Sequence, residues 1–234
     1  MSISLRHIDK AFNQMVIYRD FSMNIPDKRI SCILGPSGCG KTSLLNMIGG
    51  ILPQDHGSIE GAKEKQFSFI FHEPRLLPWK SIRKNLELVL DNQPIANKNQ
   101  LIDRYLRVVG LEHFADYYPG QLSGGMKQRV AIARAFSYPS DTILMDEPLQ
   151  TLDPRLKWNL MKTFLKIWNK DKRTVVFVTH DVDEALVLGE EIFVFSQPPV
   201  QIKHQFTNTL SEQDKNNENQ KFFDLKNSII NILD

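Results

Sequence analysis

Nine consecutive residues, Gly35, Pro36, Ser37, Gly38, Cys39, Gly40, Lys41, Thr42 and Ser43, contain the pattern G-x-x-x-x-G-K-T. Its glycines let the backbone curl until successive N–H groups converge, and such a concavity suits phosphate oxygens. A helix opening at Lys41 adds partial positive charge from its N-terminus. Lys41 would neutralise the β- and γ-phosphates of a nucleoside triphosphate such as ATP, and the Thr42 hydroxyl would ligate Mg²⁺. Asp146 and Glu147 end a second apolar run. If that run is a strand, it carries both carboxylates to the carboxyl edge of a sheet, where open α/β sheets bind ligands. Asp146 would then hold Mg²⁺ through water, and Glu147 would act as general base on an attacking water. The plain alternatives are a glycine-rich turn with no ligand and an acidic turn after a strand.

Other candidates are less specific alone. Ser123, Gly124 and Gly125 precede apolar positions at helical spacing, Val130, Ile132, Ala133 and Phe136. Ser123 is a good N-cap, and such a helix start also attracts anions. Asp153 precedes Pro154, which suits a cap followed by a first-turn proline. His180 follows the apolar residues 175–178, where a lone histidine is more often structural. Phe12 and Tyr18 lie in an early strand pattern, where an aromatic is usually core.

These residues need particular elements to position them. The first thirty residues alternate apolar and polar around turn signals at Asn13-Gln14 and Pro26-Asp27-Lys28, as antiparallel strands do. Residues 30–34 form a short apolar strand into the glycine loop, and 41–51 read as a helix ended by Pro53. Residues 57–61 read as part of a hairpin and 67–71 as a buried strand. From about 74 to 138 the periodicity is helical, which suggests an inserted lobe. Strand signals return at 143–145, 175–178 and 192–195, each followed by helical spacing. Strands alternating with helices predict a parallel sheet with helices on both faces. The expected fold is therefore α/β: a phosphate-loop core with an N-terminal antiparallel β subdomain and an inserted helical lobe. Residues 211–220 are polar and linker-like, and 222–233 carry apolar residues at helical spacing. This divides the chain into 1–206 and 207–234.

The 234 residues suffice for one sizeable domain with a lobe. An apolar fraction of 41% with 24% charged residues is ordinary for a water-soluble protein. A net charge of +2 gives no reason to expect a nucleic-acid surface. Cys32 and Cys39 form neither a disulfide framework nor a metal-binding spacing, which suits a reducing cytoplasm. No secretory core opens the chain, and no run approaches the roughly 20 apolar residues of a membrane span, so a membrane link is expected through a partner.

The order of the motifs is more specific than any one of them. Leu122, Ser123, Gly124, Gly125 and Met126 run into Lys127, Gln128 and Arg129, between the glycine loop and Asp146-Glu147-Pro148. From about Phe12 to about Pro199 this arrangement resembles the ATP-binding subunit of an ABC transporter. The resemblance implies a head-to-tail homodimer with two ATP at its interface. Ser123, Gly124 and Gly125 would then face the γ-phosphate held by the other copy, and Asp153 would lie in the loop crossing the interface. Leu149, Gln150 and Thr151 are less typical of that loop. His180 matches the family's switch histidine, which contacts the γ-phosphate, and Phe12 its adenine-stacking aromatic, with Tyr18 as the second choice.

His72 departs from the family. It stands where the family has a glutamine whose amide oxygen meets Mg²⁺ and the attacking water, in a loop leading to the membrane partner. A neutral histidine can offer one ring nitrogen as acceptor and a protonated one none. Hydrolysis is therefore expected to weaken at mildly acidic pH, unless His72 only preserves the loop's geometry. The segment 73–79 (Glu73, Pro74, Arg75, Leu76, Leu77, Pro78, Trp79) resembles the nitrate, sulfonate and taurine importer ATPases, a group that also serves thiamine-precursor uptake. Leu76, Leu77 and Trp79 would form an apolar groove for a permease helix, with 73–80 as the contact region, or Trp79 would anchor the lobe.

The resemblance thus implies an ATPase at the cytoplasmic face of the inner membrane. It would be peripheral, with a separate permease and, indirectly, an extracytoplasmic substrate-binding protein. The sugar-type importers' extra regulatory domain is not evident. A cassette acting on a soluble partner is the alternative, disfavoured by the single cassette and the near-neutral charge. A degenerate cassette that binds ATP without turnover is opposed by Lys41, Asp146, Glu147 and His180.

Overall fold

Two kinds of strand pattern build two kinds of sheet. In the computed structural model, which describes residues 2–150, 152–215 and 219–233, the chain divides into two compact units. The first comprises Met1–Lys65, Leu144–Glu147 and Arg173–Asp234, and the second Gln66–Ile143 and Pro148–Lys172. In chain order, the first unit carries strands β1 (Ile3–Phe12), β2 (Met15–Ile25) and β3 (Ile30–Leu34), helix α1 (Lys41–Ile48) and strand β4 (His56–Glu60). The second carries β5 (Phe67–Ile70), α2 (Ile82–Glu87), α3 (Lys98–Val108) and α4 (Gly124–Ser137). β6 (Thr142–Asp146) and α5 (Pro154–Asp171) follow. The chain then returns to the first unit with β7 (Thr174–Thr179), α6 (Val182–Leu188), β8 (Glu191–Phe195), β9 (Ile202–Thr207) and α7 (Gln220–Leu233).

β1 is the centre of an antiparallel sheet in the order β2-β1-β4. It pairs with β2 from Ile3↔Ile25 to Phe12↔Met15, and Ile3, Leu5 and Ile8 are buried while Arg6 and His7 are exposed. That is the half-buried pattern the alternation predicts. The segment expected as a local hairpin is instead β4, a long-range partner of β1 with Leu5 opposite Ile59.

β3 lies in parallel between β7 and β8, with Ile30 opposite Val175 and Cys32 opposite Ile192. Every residue of these three strands is buried. Strands covered on both faces read as continuous apolar runs, which is why all three are legible in the sequence. β9 was not: it pairs antiparallel with β8, and Lys203, His204 and Gln205 are exposed, so its composition resembles a loop. Within the first unit, Leu144–Glu147 runs beside β7, and the Glu147 N–H donates to the Val178 carbonyl at 3.1 Å.

Helix α1 stops at Ile48 rather than Ile51. Gly49 and Gly50 follow, and Gly50 has a φ of 70°, a left-handed turn that ends the helix before Pro53 can. In the second unit, α4 packs on α2, α3 and β5, and Phe136 meets Phe164 of α5 edge to face at 5.4 Å. α7 buries Phe222 and Ile229 against α6 and β8, and Lys226 pairs with Asp183 at 2.6 Å. The architecture is that of an α/β phosphate-loop protein with a parallel sheet, an antiparallel β subdomain and a helical lobe.

Candidate active site

The glycine loop joins the buried end of β3 to the first turn of α1. Gly40 has a φ of 111°, and a Cβ there would lie 2.4 Å from Ile17 Cγ2, so both backbone and space require glycine. The Tyr18 hydroxyl donates to the Gly40 carbonyl at 3.0 Å and props the turn from beneath. Tyr18 is fully buried, and burial, with a smaller push from Cys39, holds its phenol far above the usual range. It therefore cannot stack on a base in this arrangement. Cys39 is also buried, and burial raises its thiol against the opposing pull of Lys41, so only its backbone is presented. Lys41 is 4% exposed and lies across the loop, donating to the Gly35 and Pro36 carbonyls at 2.7 and 2.9 Å.

The first unit brings the two acidic residues to this loop. Thr42 Oγ1 donates to Asp146 Oδ1 at 2.9 Å. A hydroxyl beside a carboxylate is a hard-oxygen pair of the kind Mg²⁺ prefers, so the residues fit that ion. Glu147 lies at the centre of the cluster. Its Oε1 is 3.5 Å from Lys41 Nζ, and its Oε2 is 2.8 Å from His180 Nδ1. A carboxylate only accepts, so Nδ1 carries the proton in this contact. Glu147 has a φ of 41°, an uncommon left-handed conformation for a side-chain-bearing residue. The N–H bond to Val178 helps hold it, and such local strain collects at functional sites.

Phe12 ends β1 and is 43% exposed, with Lys10 Nζ 5.4 Å from its ring centroid. An exposed aromatic at a strand end is available to a planar ligand. Within their own unit, the second unit's candidates have local roles. Ser123 Oγ accepts from the Met126 N–H at 3.3 Å and caps α4. Asp153 caps α5 by accepting from the Leu156 N–H at 3.0 Å. Gly125 faces α5 so closely that a Cβ would come 2.1 Å from Leu156 Cδ2. His72 follows β5, and its Nε2 is buried with no hydrogen-bond partner among the described residues. A buried ring nitrogen without a partner is costly, and a ligand or water there would relieve it. Trp79 is 70% exposed. Thr151 lies outside the described residues.

Sequence reasoning missed two features. Tyr18 supports the loop instead of offering its face, and the signal available was its place in the strand opposite Lys10. Arg134 of α4 donates to the Pro74 and Arg75 carbonyls at 2.8 and 2.9 Å, tying the 72–79 loop to α4, and no spacing indicates that bond.

Among known proteins, residues 18–150 match the family model described as ABC transporter. The aliphatic sulfonates import ATP-binding protein SsuB of Bacillus thuringiensis subsp. konkukian is 33% identical over 242 residues, covering 98% of this chain and 95% of that protein. The taurine import ATP-binding protein TauB of Roseobacter denitrificans is 36% identical over 196 residues, covering 80% and 73%. The bacterial ABC transporter cassette MJ0796, solved as a dimer, superposes with a TM-score of 0.78 at 28% identity, over 89% of this chain and all of that one. A post-hydrolysis state of MJ0796 bound to ADP and Pi gives a TM-score of 0.74 at 28% identity. The family model spans the glycine loop, the serine-glycine helix start and the paired carboxylates, and the chain belongs to the ABC transporter family of ATP-binding proteins.

Proposed function

We propose that this chain is the ATP-binding and hydrolysing subunit of an ABC importer, working as a head-to-tail homodimer at the cytoplasmic face of the inner membrane. It would energise a separate permease. The cargo would be a small solute of the nitrate, sulfonate, taurine or thiamine-precursor kind, and the relatives named for sulfonate and taurine import support the sulfonate and taurine part of that class. No helix of the described residues is long and apolar enough to cross a membrane, which agrees with a partner-borne pathway. The observation that carries the reading is Glu147, held between Lys41 and His180 beside the Thr42–Asp146 pair.

The residues divide the work. Residues 35–43 would cradle the phosphates through backbone N–H groups, with Lys41 shifting from the loop carbonyls to the β- and γ-phosphate oxygens. Phe12 would stack on adenine. Thr42 and Asp146 would hold Mg²⁺, with His72 as a further ligand, and the ion would supply charge neutralisation at the phosphates. Glu147 would take the proton of a water attacking the γ-phosphorus while ADP leaves with the bonding electrons. His180 would contact the γ-phosphate. Ser123, Gly124 and Gly125 of the partner copy would close the site across the dimer, with Asp153 at the crossing. We assign 1–206 to the ATPase domain, with a helical lobe at about 74–138, and 207–234 to a linker and terminal helix. The 73–80 segment, with Trp79 exposed, would meet the permease, and a substrate-binding protein would act through that permease.

The test is gentle purification of the chain from native membranes and identification of its companions. A multi-span permease, with or without a binding protein, is the expected result. A soluble or ribosomal partner with no permease would overturn the transport reading and leave the ATPase chemistry.

A further inference from the structure

A buried carboxylate bonds to the residue just before His180 and has no part in the chemistry above. Glu184, on the first turn of α6, is 1% exposed. Its Oε2 accepts from Thr179 Oγ1 at 2.7 Å. Thr179 is itself 1% exposed and is the last residue of β7, so its hydroxyl lies on one side of His180 in the chain. On the other side, the Asp181 N–H donates to that same Thr179 oxygen at 3.0 Å. Asp181 Oδ1 then accepts from the Asp183 and Glu184 N–H groups at 2.9 and 3.2 Å.

A hydroxyl has a single proton. Thr179 accepts from the Asp181 N–H, and the proton it has left to give goes to Glu184. The carboxylate therefore fixes the hydroxyl's direction, and the hydroxyl fixes the Asp181 amide. His180 is the one residue between the two fixed points. Its Nδ1 reaches Glu147 at 2.8 Å, so a small rotation of this turn would break the contact at the general base.

We propose that Glu184 is a positioning residue for ATP hydrolysis, acting through Thr179 to hold the His180 turn in register with Glu147. The inference rests on the proposed role of His180. Misplacing a reacting group by about an ångström can cost on the order of 100-fold. Glu184→Leu, which removes the acceptor, should lower kcat by about 10- to 100-fold. KM for ATP should stay within about twofold, because the phosphate loop is untouched. Glu184→Gln keeps an oxygen acceptor and should retain most of the rate.

The deciding measurement is a double-mutant cycle with His180→Ala in the full chain, with steady-state ATPase as the readout. If Glu184 acts through His180, Glu184→Leu will cost little more in the His180→Ala background. If the two losses multiply, or if kcat of Glu184→Leu matches wild type, the proposal is wrong while the His180 reading stands. If His180→Ala leaves kcat unchanged, the role of His180 falls and the proposal with it. Should Glu184→Leu fail to fold, Thr179→Val removes the donor and Thr179→Ser keeps it. The first should behave as Glu184→Leu and the second as wild type, in both backgrounds, and the reverse pattern overturns the proposal.

Discussion

The two units hold their candidate residues in opposite ways. In the first, Lys41, Thr42, Asp146, Glu147 and His180 meet in direct pairs, though they come from three separate stretches of chain. In the second, Ser123, Gly125 and Asp153 are occupied locally, two as helix caps and one as the small residue that lets α5 approach α4. The first unit's candidate groups already contact each other. In the second, capping and close packing explain the residue types without any ligand. Direct contacts of this kind suit groups that react together, whereas a rigid, well-capped helix start is suited to presenting N–H groups to an anion.

The contrast can be broken most sharply at Glu147. Glu147→Gln should lower kcat by about 10²- to 10⁴-fold while ATP binding changes little, measured by ATPase assay and nucleotide titration. A variant keeping half its rate would remove Glu147 as the base. The next test separates packing from contact at Gly125. Gly125→Val should destabilise the fold by about 1–3 kcal/mol in denaturant unfolding, because it drives into Leu156. Adding Leu156→Ala should restore stability. If turnover returns as well, Gly125 serves packing alone; if turnover stays low, the glycine also serves the nucleotide.

Smaller effects sharpen the picture. Asp153→Ala should cost about 1 kcal/mol through the lost cap of α5. A larger fall in ATPase than in stability would point to the dimer crossing. Tyr18→Phe should cost about 1 kcal/mol, since the Gly40 carbonyl loses its donor, and should raise KM for ATP more than it lowers kcat. An unchanged KM would mean the loop needs no prop. The smallest expected change is at His72. A protonated histidine has no acceptor, so the wild-type rate should fall at mildly acidic pH, and His72→Gln should reduce that sensitivity. Superimposable pH–rate profiles would show that His72 only shapes its loop.

Much of the fold was written in the chain because its signals are local. The parallel strands β3, β7 and β8 are continuous apolar runs, and a period of that kind can be read without knowing the neighbours. β9 and the pairing of β4 with β1 were not legible, because an edge strand of polar residues and a long-range partner leave no periodic mark. The end of α1 fell to a glycine pair that outranked a proline further on.

The sequence by itself determined which chemistry is available: a phosphate loop, a paired Asp146 and Glu147, a capped serine-glycine helix and a histidine after a strand. Residue type and spacing suffice for that, because backbone curl and helix caps are properties of short segments. Only the tertiary structure decided that Glu147 bridges Lys41 and His180, that Tyr18 supports the loop, and that Glu184 holds the Thr179 hydroxyl beside His180. Those contacts join residues far apart in the chain or turn a side chain inward. Their geometry is set by how β3, β6 and β7 pack, which no single stretch of sequence contains.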